Sequence, residues 1–443
     1  MSVSLSPATA TMIDTAVSEA QADGRAPCVI LGVVRDRRLV HVATAGDHPT
    51  PHPDLQYRIG SITKTFTAAL VLQLRDAGRL DLDDPLHRHL PEVPFDRVTL
   101  RQLLGHAAGL QREPDTAGWW ERTAGTDIAG LLATLHPGKI AFAPYRTYHY
   151  SNLAYGLLGA ALQRITGTPW PKLVATGILE PLGMSRTSYH PSAPYAPGYV
   201  VHPWHATLRE EPRTDTGAMA PAGQLWSTVA DLSRWAAFLA DPDPAVLSAE
   251  TVTQMCLPVA IDDPDRWTGG HGLGPELYRV GDRVFVGHGG SMPGYVALLA
   301  VHRPTGTGVV AFANSYGFAH GSIRQLGLRV LAAILDAEPV PVPPWRPRTV
   351  GPAEVAALGG RWWWMGREYH LAWDADTAEL VLSQSGPTPA APSRFAAEGP
   401  DRWRGRSGVQ HGEILTVRRD SAGTPTALDI ATFVFTRDPD DLS

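Results

Sequence analysis

A serine and a lysine one helical turn apart are the residues of this sequence best suited to covalent chemistry. Ser61 and Lys64 lie in the segment 57–64, which reads YRIGSITK. Lysine is rare in the chain, since only Lys64, Lys139 and Lys172 occur among its 38 basic residues. Arginine keeps its proton at working pH, whereas a desolvated lysine can lose it. The pair therefore indicates a nucleophilic serine beside an amine that can act as a base.

The residues around this pair predict the helix that positions it. Gly60 permits a sharp entry, and the span 61–77 ends at Gly78. Apolar residues recur through this span at helical spacing, at Phe66, Leu70 and Leu74. Such a pattern is typical of a buried helix that ends at a glycine. Ser61 then lies in the first turn, where free N–H groups and the helix dipole stabilise developing negative charge.

Two further segments offer partners for a nucleophilic serine, which needs a proton acceptor and an oxyanion site. In 148–155, which reads YHYSNLAY, Tyr150 and Asn152 come before an apolar periodic run, so this is a loop that leads into a helix. In 284–291, which reads VFVGHGGS, a β-rich run reaches a glycine turn made of His288, Gly289, Gly290 and Ser291. Backbone can approach a ligand closely at such glycines.

The ordered set S-x-x-K, Y-S-N and H-G-G resembles the penicillin-recognising serine enzymes. The resemblance covers about residues 10 to 335 and is strongest to the branch with class C β-lactamases, D-Ala-D-Ala carboxypeptidases, esterases and D-aminopeptidases. Five supporting stretches resemble the same family: LDLDDPL at 80–86, VTLRQLLGH at 98–106, AGL at 108–110, LEPLGM at 179–184 and AGQLWS at 222–227. Within that branch, the chain is most similar to stand-alone penicillin-binding-protein-type thioesterases.

This resemblance implies a role for each motif residue. Ser61 would attack a carbonyl and form an acyl-enzyme, while Lys64 and Tyr150 would share the proton transfer, with the general base left open between them. Asn152 would bind the substrate amide. The backbone N–H groups of Ser61 and Ser291 would form the oxyanion hole. Tyr and Lys have ordinary pKa values of about 10, so both need burial and mutual coupling to work near neutrality.

The third motif departs from the β-lactamase pattern, which has Lys where this chain has His288. His288 would be a weaker, pH-dependent cation for a substrate carboxylate, or a strand-end histidine that bonds a neighbouring carbonyl. Gly289 and Gly290 would contact the substrate. Trp119 and Trp120 would either line the pocket or hold their loop in place.

Composition and charge exclude several other classes. A net charge of −6 and a pI near 6.3 argue against nucleic acid as a partner. The spacing of His87, His89 and His106 matches no metal site, so neither a metal nor another cofactor is expected. The first residues lack the basic and apolar regions of an export signal, and no run is long enough to span a membrane, so we expect a cytoplasmic protein. Cys28 and Cys256 fit a reducing compartment as ordinary thiols.

The sequence predicts three regions: a catalytic domain at 1–337, a proline-rich linker at 338–350 and a small domain at 351–443. In the first, expected helices at 8–23, 61–77, 153–166, 228–240 and 321–336 combine with strands near 28–45 and 284–313. With the resemblance, this favours an α/β sandwich of the β-lactamase/transpeptidase type, with an antiparallel sheet, covering helices and an inserted helical lobe. The small domain carries short alternating runs at 369–373, 379–382, 413–418 and 428–435, which favour an antiparallel, lipocalin-like β-barrel.

Three functions remain open. The favoured one is a thioesterase that takes a nonribosomal peptide from a carrier-protein thioester and releases it as a macrocycle. The second is a cytoplasmic esterase, D-aminopeptidase or β-lactamase-like hydrolase with the same acyl-enzyme and water as acceptor. The third is a non-catalytic penicillin-binding sensor. The expected partner is thus a peptidyl or acyl thioester or ester, and the oligomeric state stays open.

Overall fold

The computed structural model describes residues 4–340, 352–387 and 390–440. The chain divides into two compact units, residues 1–341 and 342–443. Most of the linker predicted at 338–350 lies outside the described residues. Within the described residues, no helix is both long and apolar enough to cross a bilayer.

The first unit is built on an antiparallel sheet of eight strands, in the spatial order β2-β1-β12-β11-β10-β9-β8-β7. The strands of the unit are β1 Cys28–Arg35, β2 Arg38–Gly46, β3 Tyr57–Arg58, β4 Tyr199–Val201, β5 Leu208–Glu210, β6 Trp226–Ser227, β7 Ala260–Ile261, β8 Gly269–His271, β9 Glu276–Val280, β10 Arg283–Met292, β11 Tyr295–His302 and β12 Thr307–Ala313. Because β1 pairs with β12, the sheet joins both ends of the unit, as the sequence predicted.

Helices cover both faces of this sheet. They are α1 Pro7–Gly24, α2 Thr63–Asp76, α3 Leu100–Leu104, α4 Ile128–Ala133, α5 Asn152–Thr166, α6 Trp170–Val174, α7 Glu180–Leu182, α8 Ala220–Gly223, α9 Val229–Ala240, α10 Ala249–Met255 and α11 Ile323–Ala337. Strand β1 is apolar on both faces, because Leu31 packs into the core under α1 and α11 while Ile30 packs into the core with α2, α5 and α9. The predicted β-lactamase-like α/β sandwich is therefore confirmed.

The helix expected to begin at Ser61 is divided in two. Gly60–Ile62 form a 3₁₀ turn, and α2 follows from Thr63. A 3₁₀ turn is a common way for a helix to begin, and Gly60 enters this one with a left-handed φ of +53°. Ser61 thus lies on a tight turn immediately before the buried helix that carries Lys64.

The second unit is a closed antiparallel barrel of eight strands. Its elements are α12 Ala353–Ala356, β13 Gly360–Trp364, β14 Arg367–Asp374, β15 Glu379–Gln384, β16 Ser393–Gly399, β17 Arg402–Ser407, β18 Ile414–Arg419, β19 Pro425–Ile430 and β20 Phe433–Thr436. The barrel confirms the fold predicted for this region. The run expected at 428–435 is wrong as a single strand, because Ala431 and Thr432 adopt positive φ values and turn the chain from β19 into β20.

Candidate active site

The side chains of Ser61 and Lys64 are in direct contact. The Lys64 Nζ atom donates to Ser61 Oγ at 2.9 Å, to Asn152 Oδ1 at 2.7 Å and to the Ala222 carbonyl oxygen at 2.7 Å. Lys64 is fully buried. An ammonium group has three donors, and these three acceptors use all of them. Lys64 is therefore fixed in position with its nitrogen on the serine oxygen.

Burial gives Lys64 the pKa of a usable base. Removal from water lowers the pKa of Lys64 from its ordinary 10.5 to about 7, although Glu121, Glu113 and Glu276 oppose this effect. Desolvation disfavours the charged form of an amine, which explains the direction. Near neutral pH a large fraction of Lys64 is thus free to accept the Ser61 proton.

Tyr150 lies over the same lysine. Its ring centre is 5.0 Å from Lys64 Nζ and 4.3 Å from the ring of His106, which stacks on it. Burial and then Glu276 raise the pKa of Tyr150 well above its ordinary 10, and a hydrogen bond with the Ser61 side chain acts in the opposite direction. The phenol consequently stays protonated near neutrality. In the free enzyme this favours Lys64 as the proton acceptor and Tyr150 as a proton donor.

The Y-S-N segment forms the start of α5. Ser151 is the helix N-cap, because its Oγ accepts from Ala154 N at 3.0 Å and donates to the Gln111 carbonyl at 2.7 Å. Asn152 is the first helical residue. Its Oδ1 accepts from Lys64, while its Nδ2 donates to both Glu113 oxygens at 3.0 and 2.9 Å. The cap therefore places Asn152 against Lys64, which contacts Ser61.

The H-G-G segment brings its backbone against the turn that carries Ser61. A Cβ atom on Gly290 would lie 2.0 Å from the Ile59 carbonyl oxygen, and one on Gly60 would lie 2.4 Å from Ser291 N. Side chains are thus excluded at both positions, and only glycine allows this approach. The chain segments that contain Ser61 and Ser291 lie side by side, as a shared oxyanion hole requires.

His288 differs from its expected role as a weak cation. Its ring is buried, and Nδ1 lies 2.5 Å from the Gly289 carbonyl oxygen. Burial lowers the pKa of His288 to about 4, although the charge of Glu276 raises it. His288 is therefore neutral at neutral pH, and the structure favours the alternative of a buried histidine bonded to a carbonyl.

Glu276 is a site residue that no sequence motif indicated. The β9–β10 ladder ends at the pair Glu276 and Gly287, and the Glu276 side chain continues it by accepting from Gly289 N at 2.9 Å. Arg324 donates to the same carboxylate at 3.2 Å. Burial would raise the pKa of Glu276, but His288, Arg324 and His271 outweigh it and lower the pKa to about 2. Glu276 is thus an anion that holds the glycine strand.

The two expected tryptophans differ in exposure and in their contacts. Trp119 is exposed, packs edge-on against Tyr316 at 5.5 Å and lines the cavity above Ser61. Trp120 is buried, and its Nε1 donates to Glu113 Oε2 at 2.6 Å. Of the two readings in the sequence, lining the pocket thus fits Trp119 and holding the loop fits Trp120.

A cavity of about 710 Å³ brings the motif residues together. The walls carry charges of both signs from residues that the motifs did not include. Residues around this cavity include Ser61, Arg112, Glu113, Trp119, Glu121, Tyr148, Tyr150, Asn152, Asp262, Glu276, His288, Gly289, Gly290, Ser291 and Arg324. Lys64 is buried, and it contacts the cavity residues Ser61 and Asn152. The residues expected to act as nucleophile, base, proton donor and oxyanion hole therefore converge on one space.

The family model for beta-lactamase matches residues 13–333, which is most of the first unit and contains every motif residue. The chain belongs to the beta-lactamase family. This family comprises serine hydrolases of the beta-lactamase and penicillin-binding-protein type. A separate model, a domain of unknown function called DUF7586, matches residues 351–437 of this beta-lactamase-family protein.

Several characterised proteins are similar to this beta-lactamase-family chain. The D-alanyl-D-alanine-carboxypeptidase/endopeptidase AmpH of Escherichia coli strain K12 is 33% identical over 221 residues, which are 48% of this chain and 56% of AmpH. A D-stereospecific amidohydrolase from Streptomyces is 28% identical with a TM-score of 0.61, over 72% of this chain and 97% of the other. SurE is 25% identical with a TM-score of 0.61, over 97% and 99%. The chain spans about half the length of the curated relatives it matches.

Proposed function

We propose that this protein is a peptidyl acyltransferase, which takes a peptide with a D-configured terminal residue from a carrier-protein thioester and releases it as a macrocycle. The observation that carries the acyl-transfer chemistry is the contact between Ser61 Oγ and a lysine whose pKa is about 7. The choice of a cyclase is supported by the resemblance of the motif set to stand-alone penicillin-binding-protein-type thioesterases, and SurE is similar to this chain over both units.

Acylation would begin with the neutral amine of Lys64, which accepts the proton of Ser61 Oγ. The oxygen then bonds to the thioester carbonyl carbon, and the backbone N–H groups of Ser61 and Ser291 stabilise the oxyanion. The carbon–sulfur bond breaks, and the thiolate leaves with the proton that Lys64 or Tyr150 returns. The product of this half-reaction is a Ser61 ester and a free thiol.

In the release step the peptide amine is the nucleophile and Ser61 Oγ is the leaving group. The amino group of the same peptide attacks the Ser61 ester carbonyl and loses a proton to the Lys64–Tyr150 pair. The bond between the carbonyl carbon and Ser61 Oγ then breaks, and the oxygen recovers a proton from this pair. A new amide bond closes the ring, and the enzyme returns to its starting protonation state. Water at the same position would give the linear acid.

D-configuration in the donor is supported by the names of two relatives. AmpH is a D-alanyl-D-alanine carboxypeptidase, and the Streptomyces structure is a D-stereospecific amidohydrolase. Both proteins would acylate a serine with a residue of D-configuration if they use the site that this family shares. We therefore expect a preference for a D-residue at the reacting carbonyl.

The experiment uses a synthetic peptidyl thioester that ends in a D-residue, together with its L-epimer. Intact mass spectrometry should detect the acyl adduct on wild-type protein and none on Ser61→Ala. Chromatography should then identify cyclic peptide as the main product from the D-epimer. A wild-type protein that forms neither cyclic nor linear product from the D-epimer would contradict the proposal.

A D-specific esterase or peptidase is the second candidate, and the amidohydrolase similarity at 28% identity favours it. This enzyme would form the same acyl-enzyme but give only linear acid. Rapid and unselective hydrolysis of simple p-nitrophenyl esters would also distinguish it from a cyclase.

A non-catalytic sensor is tested by labelling with a fluorophosphonate, since only an unreactive Ser61 in folded protein would favour that reading.

A further inference from the structure

Two carboxylates of the cavity are not used by the acyl-transfer steps above. Glu113 and Glu121 belong to the same loop, and both line the cavity beside Ser61. Trp120 Nε1 and Asn152 Nδ2 fix the Glu113 carboxylate by donating to it at 2.6 to 3.0 Å. Glu113 also accepts from Arg112, and its side chain is still 39% exposed, so a donor from the cavity can reach it.

Glu121 is nine-tenths buried and lacks a full set of donors. Its relative exposure is 9%, and its Oε2 atom is buried with no hydrogen-bond partner among the described residues. Burial of a carboxylate oxygen without a donor costs free energy, and native proteins rarely accept that cost for folding alone. An unpartnered carboxylate at the wall of an active-site cavity therefore points to a ligand that supplies the donor.

Of the arginines nearby, one pairs with Glu113 itself and two bond to other groups. Arg112 Nε donates to Glu113 at 3.0 Å, and Arg122 pairs with Glu211 at 3.1 Å. Arg58 is buried and donates through Nη2 to the Thr214 carbonyl and to Gln224 Oε1, whereas its Nε and Nη1 atoms have no partner among the described residues. Among the described residues, none forms an ion pair with Glu121. The place beside Glu121 is thus available for a cation that the substrate brings.

We infer that Glu113 and Glu121 together bind a primary ammonium group of the substrate. Burial and then the neighbouring Glu113 raise the pKa of Glu121 to about 7, and a bound cation would favour its ionised form. An ionised carboxylate only accepts hydrogen bonds, whereas an ammonium nitrogen carries three donors and the complementary charge. An anionic group would meet two carboxylates at this position. The inference rests on the proposed function, because it names the part of the acyl-transfer substrate that this wall of the cavity holds.

Two parts of a substrate carry such a group. One is the free α-amine of the donor residue, as in an aminoacyl donor. The other is the acceptor amine, which must reach the Ser61 ester as an ammonium ion before it loses a proton and attacks. The chemistry at Glu113 and Glu121 is the same for both, and two separate measurements distinguish them.

The donor measurement compares D-phenylalanyl and N-acetyl-D-phenylalanyl thioesters of N-acetylcysteamine. The acetyl group removes the ammonium charge and leaves the reacting carbonyl unchanged. If the donor supplies the ammonium group, the kcat/KM of the D-phenylalanyl thioester divided by that of its N-acetyl form should fall about tenfold or more in Glu121→Gln and in Glu113→Gln. Glu19→Gln, at an exposed position of α1, is the matched control and should leave the ratio unchanged.

The acceptor measurement uses only the N-acetyl donor, with butylamine added as the acceptor. The amide-to-acid product ratio reports how well the amine competes with water for the acyl-enzyme. If the acceptor supplies the ammonium group, this ratio should fall about tenfold or more in the same two variants. The ratio is independent of how much enzyme is active, so a partly unfolded variant still gives a valid result.

Unchanged ratios in both measurements, with variants that acylate Ser61, would overturn the inference and leave the proposed function intact. A wild-type protein that forms no acyl-enzyme would instead overturn the proposed function. In that case calorimetry on Ser61→Ala still decides the site, since D-phenylalaninamide should bind more tightly than its N-acetyl form. Equal binding of the two amides would overturn the inference.

Discussion

Lys64 is the residue that sets the pH range of the proposed chemistry. It is fully buried, contacts Ser61 Oγ, and has three acceptors that hold its nitrogen in place. A buried lysine near acidic side chains has opposing influences on its pKa, and here desolvation is the larger one. The site therefore needs an amine that can lose its proton, which an arginine cannot replace.

The first prediction is that Lys64→Arg removes acylation of Ser61. The guanidinium keeps its proton, so no base lies on the serine, and the acylation rate should fall by about 100- to 10,000-fold. The release of p-nitrophenol from p-nitrophenyl acetate measures that rate. Lys172→Arg, at an exposed position of α6, is the matched control and should react like the wild type. Normal acylation by Lys64→Arg would exclude Lys64 as the base.

The second prediction concerns the pH dependence of the same reaction. The neutral amine is the reactive form, so the acylation rate should rise with pH and level off above the Lys64 pKa of about 7. Tyr150 should not contribute a second inflection in this range, because its pKa lies well above 10. Stopped-flow measurement from about pH 5.5 to 9 tests this. A rate that still rises steeply between about pH 8 and 9 would assign the base to another group.

At the scale of elements, the site depends on how β10 extends past its neighbour. Strand pairing with β9 stops at Gly287, and from there a side chain, Glu276, supplies the acceptor that a backbone carbonyl would otherwise provide. On the other edge β10 stays paired with β11 as far as Met292. The glycine segment is thus held by backbone on one side and by a carboxylate on the other.

The third prediction is that Glu276→Gln destabilises the protein in a pH-dependent way. Loss of the charge weakens the bonds to Gly289 N and Arg324, at a cost of about 1–3 kcal/mol in the free energy of unfolding. The folded pKa of about 2 lies below the ordinary 4.5. The wild type should therefore keep its full advantage above about pH 5 and lose it as the pH falls from about 4.5 to 2. Urea unfolding of both proteins at several pH values measures this difference.

The fourth prediction is that Gly290→Ala impairs the oxyanion hole. The new Cβ would lie 2.0 Å from the Ile59 carbonyl oxygen, so β10 must move away from the turn that carries Ser61. Loss of one oxyanion donor costs about 100- to 1,000-fold in kcat. Gly399→Ala, where a Cβ meets no atom within 4 Å, is the control. An equal loss in both variants would indicate general destabilisation instead.

The periodicity of the sequence predicted most of the helices and strands. It did not predict the side-chain contacts that neighbouring strands and loops make with one another. The helices near 8–23, 153–166, 228–240 and 321–336 and the barrel follow from periodicity, and all are present. Glu276 and Glu113 carry no motif, because their roles arise from neighbouring strands and from a loop that meets α5. The β19–β20 turn was missed because Ala431 and Thr432 are not the residues that usually adopt positive φ.

At the scale of the whole molecule, each unit is closed by contacts between its chain ends. In the first unit, Glu338 accepts from Ser6 N at 2.8 Å and from Arg35 at 2.6 Å. In the second, Arg437 follows the last strand and donates to carbonyl oxygens before and within the first strand, at Ala357, Leu358, Gly359 and Arg361. Its guanidinium also lies 3.7 Å from the ring centre of Trp362.

The fifth prediction is that Arg437→Met destabilises the barrel. The variant removes four hydrogen bonds and a cation–π contact at the junction of β13 and β20, and we expect a loss of about 1–3 kcal/mol in unfolding free energy. Tryptophan fluorescence in urea measures this, since Trp362 is buried beside Arg437. Arg367→Met, at an exposed position of β14, should cause little change.

The distribution of the three lysines has a practical consequence for handling the protein. Lys64 is sealed in the site, Lys139 is buried in an ion pair with Asp115, and Lys172 is exposed and absent from the cavity walls. Among the lysine side chains, an amine-reactive dye or resin would therefore attach at Lys172. Attachment there would leave Ser61 available for turnover.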